Sequence, residues 1–325
     1  MSTNGFKIAL AMMTFTGLVA AAGPAQAASP QTTAQQNTSP RTRIVAHLDL
    51  ASGQQPENIT LEPDGSADLT FAYTGEVGRV SPSGRVEIIG RIPVPADGDI
   101  PVVHRKIFLG GIVRAPGGDL YVAVSTGTAS ATGVYRLRPG RPAVRVAALP
   151  PSGFHNGMAL DPRTGELYVA DSFGSVVRRV TPRTGRVVTW ATGDLLAPRD
   201  GFGANGVKLH DDAVWVSNIG TQQLVRFPIT RDGTAGPGEV KASGLGPIDD
   251  FAFHGDEVVA AINQENRVSV VARDGSSRTI LTAADGLDNP TSVAVRGDTA
   301  YIADSAYFIG TDPNLLRTRL APGRE

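Results

Sequence analysis

The sequence predicts an all-β fold: a six-bladed β-propeller of four-stranded antiparallel blades, closed by an N-terminal strand. Three observations predict it. Related segments open at Glu57, Gly110, Asn156, Asn205, Asp249 and Thr291, at separations of 53, 46, 49, 44 and 42 residues. Each opens on a small or polar residue, followed by a short apolar strand, a turn with Gly, Asp or Pro, and a second strand of the L-Y-V-A type. Glycine (38) and proline (23) punctuate short apolar runs throughout, and no helical stripe is visible. A period of about 40–50 residues with four strands per unit is the signature of a propeller blade. A β-sandwich gives no reason for such a unit to recur six times, and a helical solenoid needs stripes of 3.6-residue period.

At the N-terminus, Lys7 precedes an apolar run from Ile8 to Ala22, and Ala25-Gln26-Ala27 follows it. A positive start, an apolar centre of about 15 residues and an A-x-A ending predict a secretory signal peptide over residues 1–28. The run is shorter than the roughly 20 residues that span a bilayer, so no membrane association is expected after cleavage. A secreted or periplasmic protein is expected. Residues 29–42, rich in Ser, Thr, Gln, Pro and Ala, read as a flexible linker, because such a composition buries too little apolar surface to offset its ordering entropy. The propeller is expected over residues 43–325. In its last unit, Gly310–Leu320 is the candidate third strand, and Arg43–Leu50 is expected to join that blade as its outer edge. Closure of this kind removes two exposed sheet edges.

Charge is balanced, with 30 basic and 31 acidic residues, and the basic ones are scattered. Nucleic acid is therefore excluded as the main partner, since phosphate binding needs a concentrated basic face. Cysteine is absent, which excludes thiol catalysis and disulfides and leaves stability to the core, or to a core plus a metal. A monomer acting on a small molecule is expected.

The innermost strand of each blade lines the central channel, so the six openers should ring one mouth. Four of them, Glu57, Asn156, Asn205 and Asp249, carry side-chain oxygens, and none is Lys or Arg. Oxygen-only ligands suit a hard divalent cation such as Ca²⁺, and neither thiolate nor imidazole is among them. Asn and Asp also open strands simply as turn residues, and Asn-Gly is a common turn dipeptide.

The segments "PENIT", "HNGMALDP", "ANGVKL" and "IDDFAF" resemble the regucalcin (senescence marker protein)/gluconolactonase family of six-bladed propellers, with paraoxonases and strictosidine synthases as more distant relatives. The resemblance implies one divalent cation held by Glu57, Asn156, Asn205 and Asp249. It implies a hydrolase of a lactone or related ester, in which the cation polarises the carbonyl as a Lewis acid and an Asp or His activates water. Asp249 and His155 are the candidate catalytic residues, with Asp250 and His104 as further candidates. The second blade opens on "FLGGIV" where gluconolactonase-like members carry polar sugar-holding residues, which points to a more apolar substrate. Two other readings stay open: a non-catalytic extracellular binding protein with a structural cation, and a lyase or condensing enzyme of the strictosidine-synthase-like type. The loop segments 125–133 and 192–203 favour a look at the first of these.

Overall fold

A computed structural model describes residues 42–199, 201–308 and 310–321. The expected signal peptide (residues 1–28) and residues 29–41 of the expected linker lie outside the described residues. What is described is the six-bladed propeller, each blade a sheet of four antiparallel strands. From inside out, the first blade comprises β2 (Pro56–Leu61), β3 (Ala67–Phe71), β4 (Glu76–Val80) and β5 (Val86–Arg91). The second comprises β6 (Phe108–Arg114) to β9 (Val144–Ala148), and the third β10 (His155–Leu160) to β13 (Arg186–Thr192). The fourth runs from β14 (Ala204–His210) to β17 (Glu239–Ser243), and the fifth from β18 (Ile248–His254) to β21 (Ser277–Thr282). The sixth takes β22 (Pro290–Arg296), β23 (Thr299–Asp304) and β24 (Asn314–Arg319) from the C-terminus, and β1 (Thr42–His47) from the N-terminus.

The closing strand behaves as the sequence predicts. β1 pairs antiparallel with β24, Thr42 opposite Thr318 and His47 opposite Asn314. It also contributes Ala46 to the apolar seam shared with the first blade, beside Leu69, Phe71, Ala303 and Leu315. A seam of this kind lies at every junction between neighbouring blades, six in all among the described residues. Each blade alone would leave one apolar face in water, so burial is complete only when the ring closes.

Hydrogen bonds pin the same junctions at the level of the openers. Thr70 Oγ1 donates to the Gly110 carbonyl (2.9 Å), and the His155 N–H donates to Ser125 Oγ (2.8 Å). Ser172 Oγ donates to the Ala204 carbonyl (2.6 Å), Ser217 Oγ to that of Asp249 (3.0 Å) and Asn263 Nδ2 to that of Pro290 (3.3 Å). Thr291 Oγ1 closes the ring on the Pro56 carbonyl (2.9 Å). At five junctions a polar residue at the end of the second strand thus satisfies the backbone entering the next blade's innermost strand, and at the sixth the opener Thr291 does so.

That backbone needs outside partners because it is bulged. All six innermost strands shift register at their opener: between Pro56 and Asn58, Leu109 and Ile112, His155 and Met158, Ala204 and Val207, Ile248 and Phe251, and Pro290 and Ser292. A bulge leaves a residue unpaired and re-aims its side chain. Neighbouring bulges also meet backbone to backbone. A Cβ on Gly157 would lie 2.3 Å from the Asn205 carbonyl oxygen, and one on Gly206 would lie 2.9 Å from Asp250 Cα. The glycine that follows each ligand-type Asn is therefore required by close approach.

Candidate functional site

The bulges of β2, β10, β14 and β18 turn Glu57, Asn156, Asn205 and Asp249 into one cavity of about 300 Å³ at the channel mouth. All four are buried. Asn205 Nδ2 donates to Asp249 Oδ1 at 2.9 Å, and the Tyr307 hydroxyl donates to Glu57 Oε2. Among the described residues, neither Glu57 nor Asp249 has a Lys or Arg within ion-pair distance. Burial pushes the Glu57 carboxyl up to about 7, opposed by the Tyr307 hydrogen bond and assisted by the Asp250 charge. Burial also holds Asp249 well above the ordinary carboxylate range, with Glu57 and Asp250 adding to it and Asn205 opposing.

The other two openers do different work. Gly110 cannot be a ligand because a Cβ there would come within 2.5 Å of the His155 carbonyl oxygen. Thr291 is committed to the carbonyls of Pro56 and Ala303 (2.9 and 3.2 Å).

The remaining candidates do not line the cavity. His155, next to Asn156, is turned back into the sheet. Its Nε2 lies 3.0 Å from the Pro150 carbonyl oxygen, which fixes Nε2–H as donor, and its Nδ1 is buried with no partner. Burial lowers its pKa, so the ring is neutral. His104 sits in the exposed loop between β5 and β6, with Nδ1 3.2 Å from Asp99 Oδ1. Asp250 faces the opposite way along the channel. Lys208 Nζ donates to both of its oxygens (2.6 and 2.7 Å), and Asn58 Nδ2 and Ser292 Oγ donate to Oδ2 (3.0 and 2.6 Å).

Sequence reasoning missed the cavity's walls. Phe108 and Phe154 stack at 4.2 Å between centroids, Phe202 meets Phe154 edge-on at 5.5 Å, and Tyr73 bridges Phe108 (6.0 Å) and Tyr307 (5.9 Å). Above them the Arg105 guanidinium lies 5.1 Å from the centre of the Tyr73 ring. Phe108 opens β6 and Phe154 immediately precedes β10, each two residues before its opener, whereas Tyr73, Phe202 and Tyr307 lie in loops outside the strands of the repeat; only "FLGGIV" at Phe108 hinted at an apolar wall. Phe202 belongs to the 192–203 loop singled out in the sequence. The 125–133 loop acts indirectly: the Thr126 carbonyl accepts from Asp99 N–H (3.0 Å) and so braces the segment that carries Val103 and Arg105 to the rim.

The donor set fits a hard cation. Two carboxylates and two carboxamides converge, no Lys or Arg among the described residues forms an ion pair with either carboxylate, and Asn205 Oδ1 is buried without a hydrogen-bond partner. Buried oxygens without partners are costly unless something outside the chain satisfies them.

Solved structures with the propeller fold are similar to the chain, gluconolactonase-like propellers among them. A gluconolactonase from Xanthomonas campestris aligns at 15% identity and TM-score 0.62, over 86% of this chain and 95% of that one. A catalytically inactive His-to-Ala variant of virginiamycin B lyase from Staphylococcus aureus, with quinupristin, aligns at 14% and 0.57, over 86% and 100%. The PQQ-bound aldose sugar dehydrogenase from Streptomyces coelicolor aligns at 17% and 0.61, over 85% and 96%. At such identities the likeness is one of fold. No family model and no curated protein matches the sequence.

Proposed function

We propose that the protein is an exported, metal-dependent hydrolase of a lactone or related ester, with a hard divalent cation, Ca²⁺ for preference, at the channel mouth. The observation that carries this reading is the convergence of Glu57, Asn156, Asn205 and Asp249, all buried, in one cavity, with no Lys or Arg among the described residues in ion-pair distance of the two carboxylates. The likeness to a gluconolactonase propeller supports the reaction class.

The cation, when bound, would supply Lewis-acid polarisation of the substrate carbonyl. Asn156 and Asn205 would hold it through their amide oxygens, and Glu57 and Asp249 through their carboxylates. Asp249 is the base this cavity offers: one oxygen is fixed by Asn205, and the other has no hydrogen-bond partner among the described residues, so it can take the proton of an attacking water. Tyr307 orients Glu57 by donating to it. The aromatic rings exclude bulk water, which strengthens each of these interactions. His155 has no part in the proposal, because its ring is held against Pro150 behind the sheet.

A lyase reading gains nothing specific from the site. The lyase similar in fold loses activity on a His-to-Ala change, and here no His is among the cavity's lining residues. The test is metal analysis of the purified protein, followed by a lactone and ester screen with and without chelator. Chelator-sensitive hydrolysis, lost in Asn156→Ala and Asp249→Ala, is the expected result. Bound Ca²⁺ without turnover would reassign the protein as a binding propeller with a structural cation.

A further inference from the structure

The cavity is chemically two-faced around its floor of oxygens. On one side Tyr307, Tyr73, Phe108, Phe154 and Phe202 form an unbroken run of ring contacts, with centroid separations from 4.2 to 6.0 Å. Phe108 and Phe154 are buried, and Tyr73, Phe202 and Tyr307 pack against them as one apolar cluster. Beyond the floor, the polar lining comes from Asn263 and Gln264, from Gln55, whose amide donates to the Ser305 and Ala306 carbonyls, and from Arg105, which lies over the Tyr73 ring. This seventh cluster serves no seam between blades: each junction already has its own, and these rings lie over the mouth.

That arrangement selects a substrate by what each face leaves unsatisfied. A polyhydroxylated ring set against the phenyl wall would lose hydrogen bonds to water and gain none in return. An aromatic ring would bury apolar surface and meet edges and faces already laid out at the spacings that aromatic pairs prefer. The volume of about 300 Å³ is at the small end of ligand sites, enough for one ring and a short carbonyl-bearing arm.

We propose that the site takes an aryl-substituted lactone or ester, its ring held by Phe108, Phe154 and Phe202 and its carbonyl carried to the oxygen floor. This deepens the hydrolase reading and rests on it for the bond that is cleaved. The placement of the ring is a separate claim about binding. It tells the wall what to hold, not which group reacts.

Two matched pairs test it, using the mature full-length protein loaded with Ca²⁺. Calorimetry compares 3-phenylpropanoate with propanoate, which differ by the ring, and turnover compares γ-phenyl-γ-butyrolactone with γ-butyrolactone and glucono-δ-lactone. The phenyl acid is expected to bind at least about tenfold more tightly than propanoate. Phe154→Leu should bring that ratio to within about twofold, as stacking and ring burial are what it removes. Phe202→Leu, on the half-buried rim, should lower it without risk to the core. Equal binding, no binding of either acid, or preferred turnover of glucono-δ-lactone would overturn the proposal. Retained preference for the phenyl acid with no lactone hydrolysed would sink the hydrolase reading and leave the aryl site standing.

Discussion

Asp249 and Asp250 are neighbours in one bulge, yet they serve opposite halves of the channel under opposite electrostatic terms. Asp250 looks toward the far half, where the inner strands' later residues, from Ile59 and Ile112 to Val293, line a second space of about 540 Å³. There its charge is met by Lys208 and its oxygens are filled by Asn58 and Ser292. Asp249 looks toward the mouth, where Glu57 adds a second carboxylate, and the polar partners are an amide and a phenol. The far half is complete within the chain. The mouth is not, and the difference marks it as the half built to receive something.

The largest effect that separates the two halves should come from Lys208→Met. It leaves Asp250 buried and unpaired, which typically costs about 3–5 kcal/mol. The lower end is expected, since the side chains are 24% and 3% exposed. Denaturant unfolding should register the loss, and the double variant Lys208→Met/Asp250→Asn should recover most of it. A single Lys208→Met change with unaltered stability would refute the account of the far half.

The next effect is pH dependence of the metal-free protein. Glu57 is raised to about 7 from an ordinary 4.5, so folding favours its protonated form. The associated stability is complete below about pH 4.5 and is lost as pH rises through about 7, in total roughly 3 kcal/mol. Thermal unfolding in chelator should show this decline, and Glu57→Gln should remove Glu57's share. Added Ca²⁺ should stabilise more at pH 8 than at pH 5, because protons compete for the same oxygens.

Asp249→Asn should then act in the opposite sense to Asp250→Asn. Relieving a buried carboxylate that has no ion-pair partner should raise metal-free stability at pH 8. Cation affinity should fall about a hundredfold, since ligand charge is what tunes such sites. Asp250→Asn should lower stability by stranding Lys208. Calorimetry and unfolding on both variants decide it.

The smallest effect is expected at His155. His155→Gln should leave kcat/KM within a few-fold of the parent, whereas loss of a general base would cost about 10²–10⁴. A loss of that size in a protein that remains folded would return His155 to the mechanism.

These contrasts also mark where the sequence was legible. The openers could be read because a ring repeats its register: aligning "HNG", "ANG" and "IDDF" places Asn156, Asn205 and Asp249 at equivalent positions. His155 misled because it is adjacent to Asn156 in sequence, and only the bulge between His155 and Met158 decides which side chain faces the channel. For Asp249 and Asp250 the alignment singled out Asp249 as the opener and left Asp250 only as a further candidate base, without showing where Asp250 points. Tyr73, Phe202 and Tyr307 were invisible for a different reason, since loops of unequal length carry them, and Phe108 and Phe154, each two residues before its opener, gave no sign that they meet in one wall.

By itself the sequence determined the propeller, its six blades, the closing strand and the four oxygen-bearing openers. Each of these depends on a pattern that recurs along the chain: alternation within strands, turns between them, and a fixed period. The tertiary structure alone decided that His155 turns away from the mouth, that Lys208 completes the far half, and that rings from separate blades and loops form one wall. Those outcomes depend on close approach between segments tens to hundreds of residues apart. No local pattern encodes such distances, and the closed ring sets them all at once.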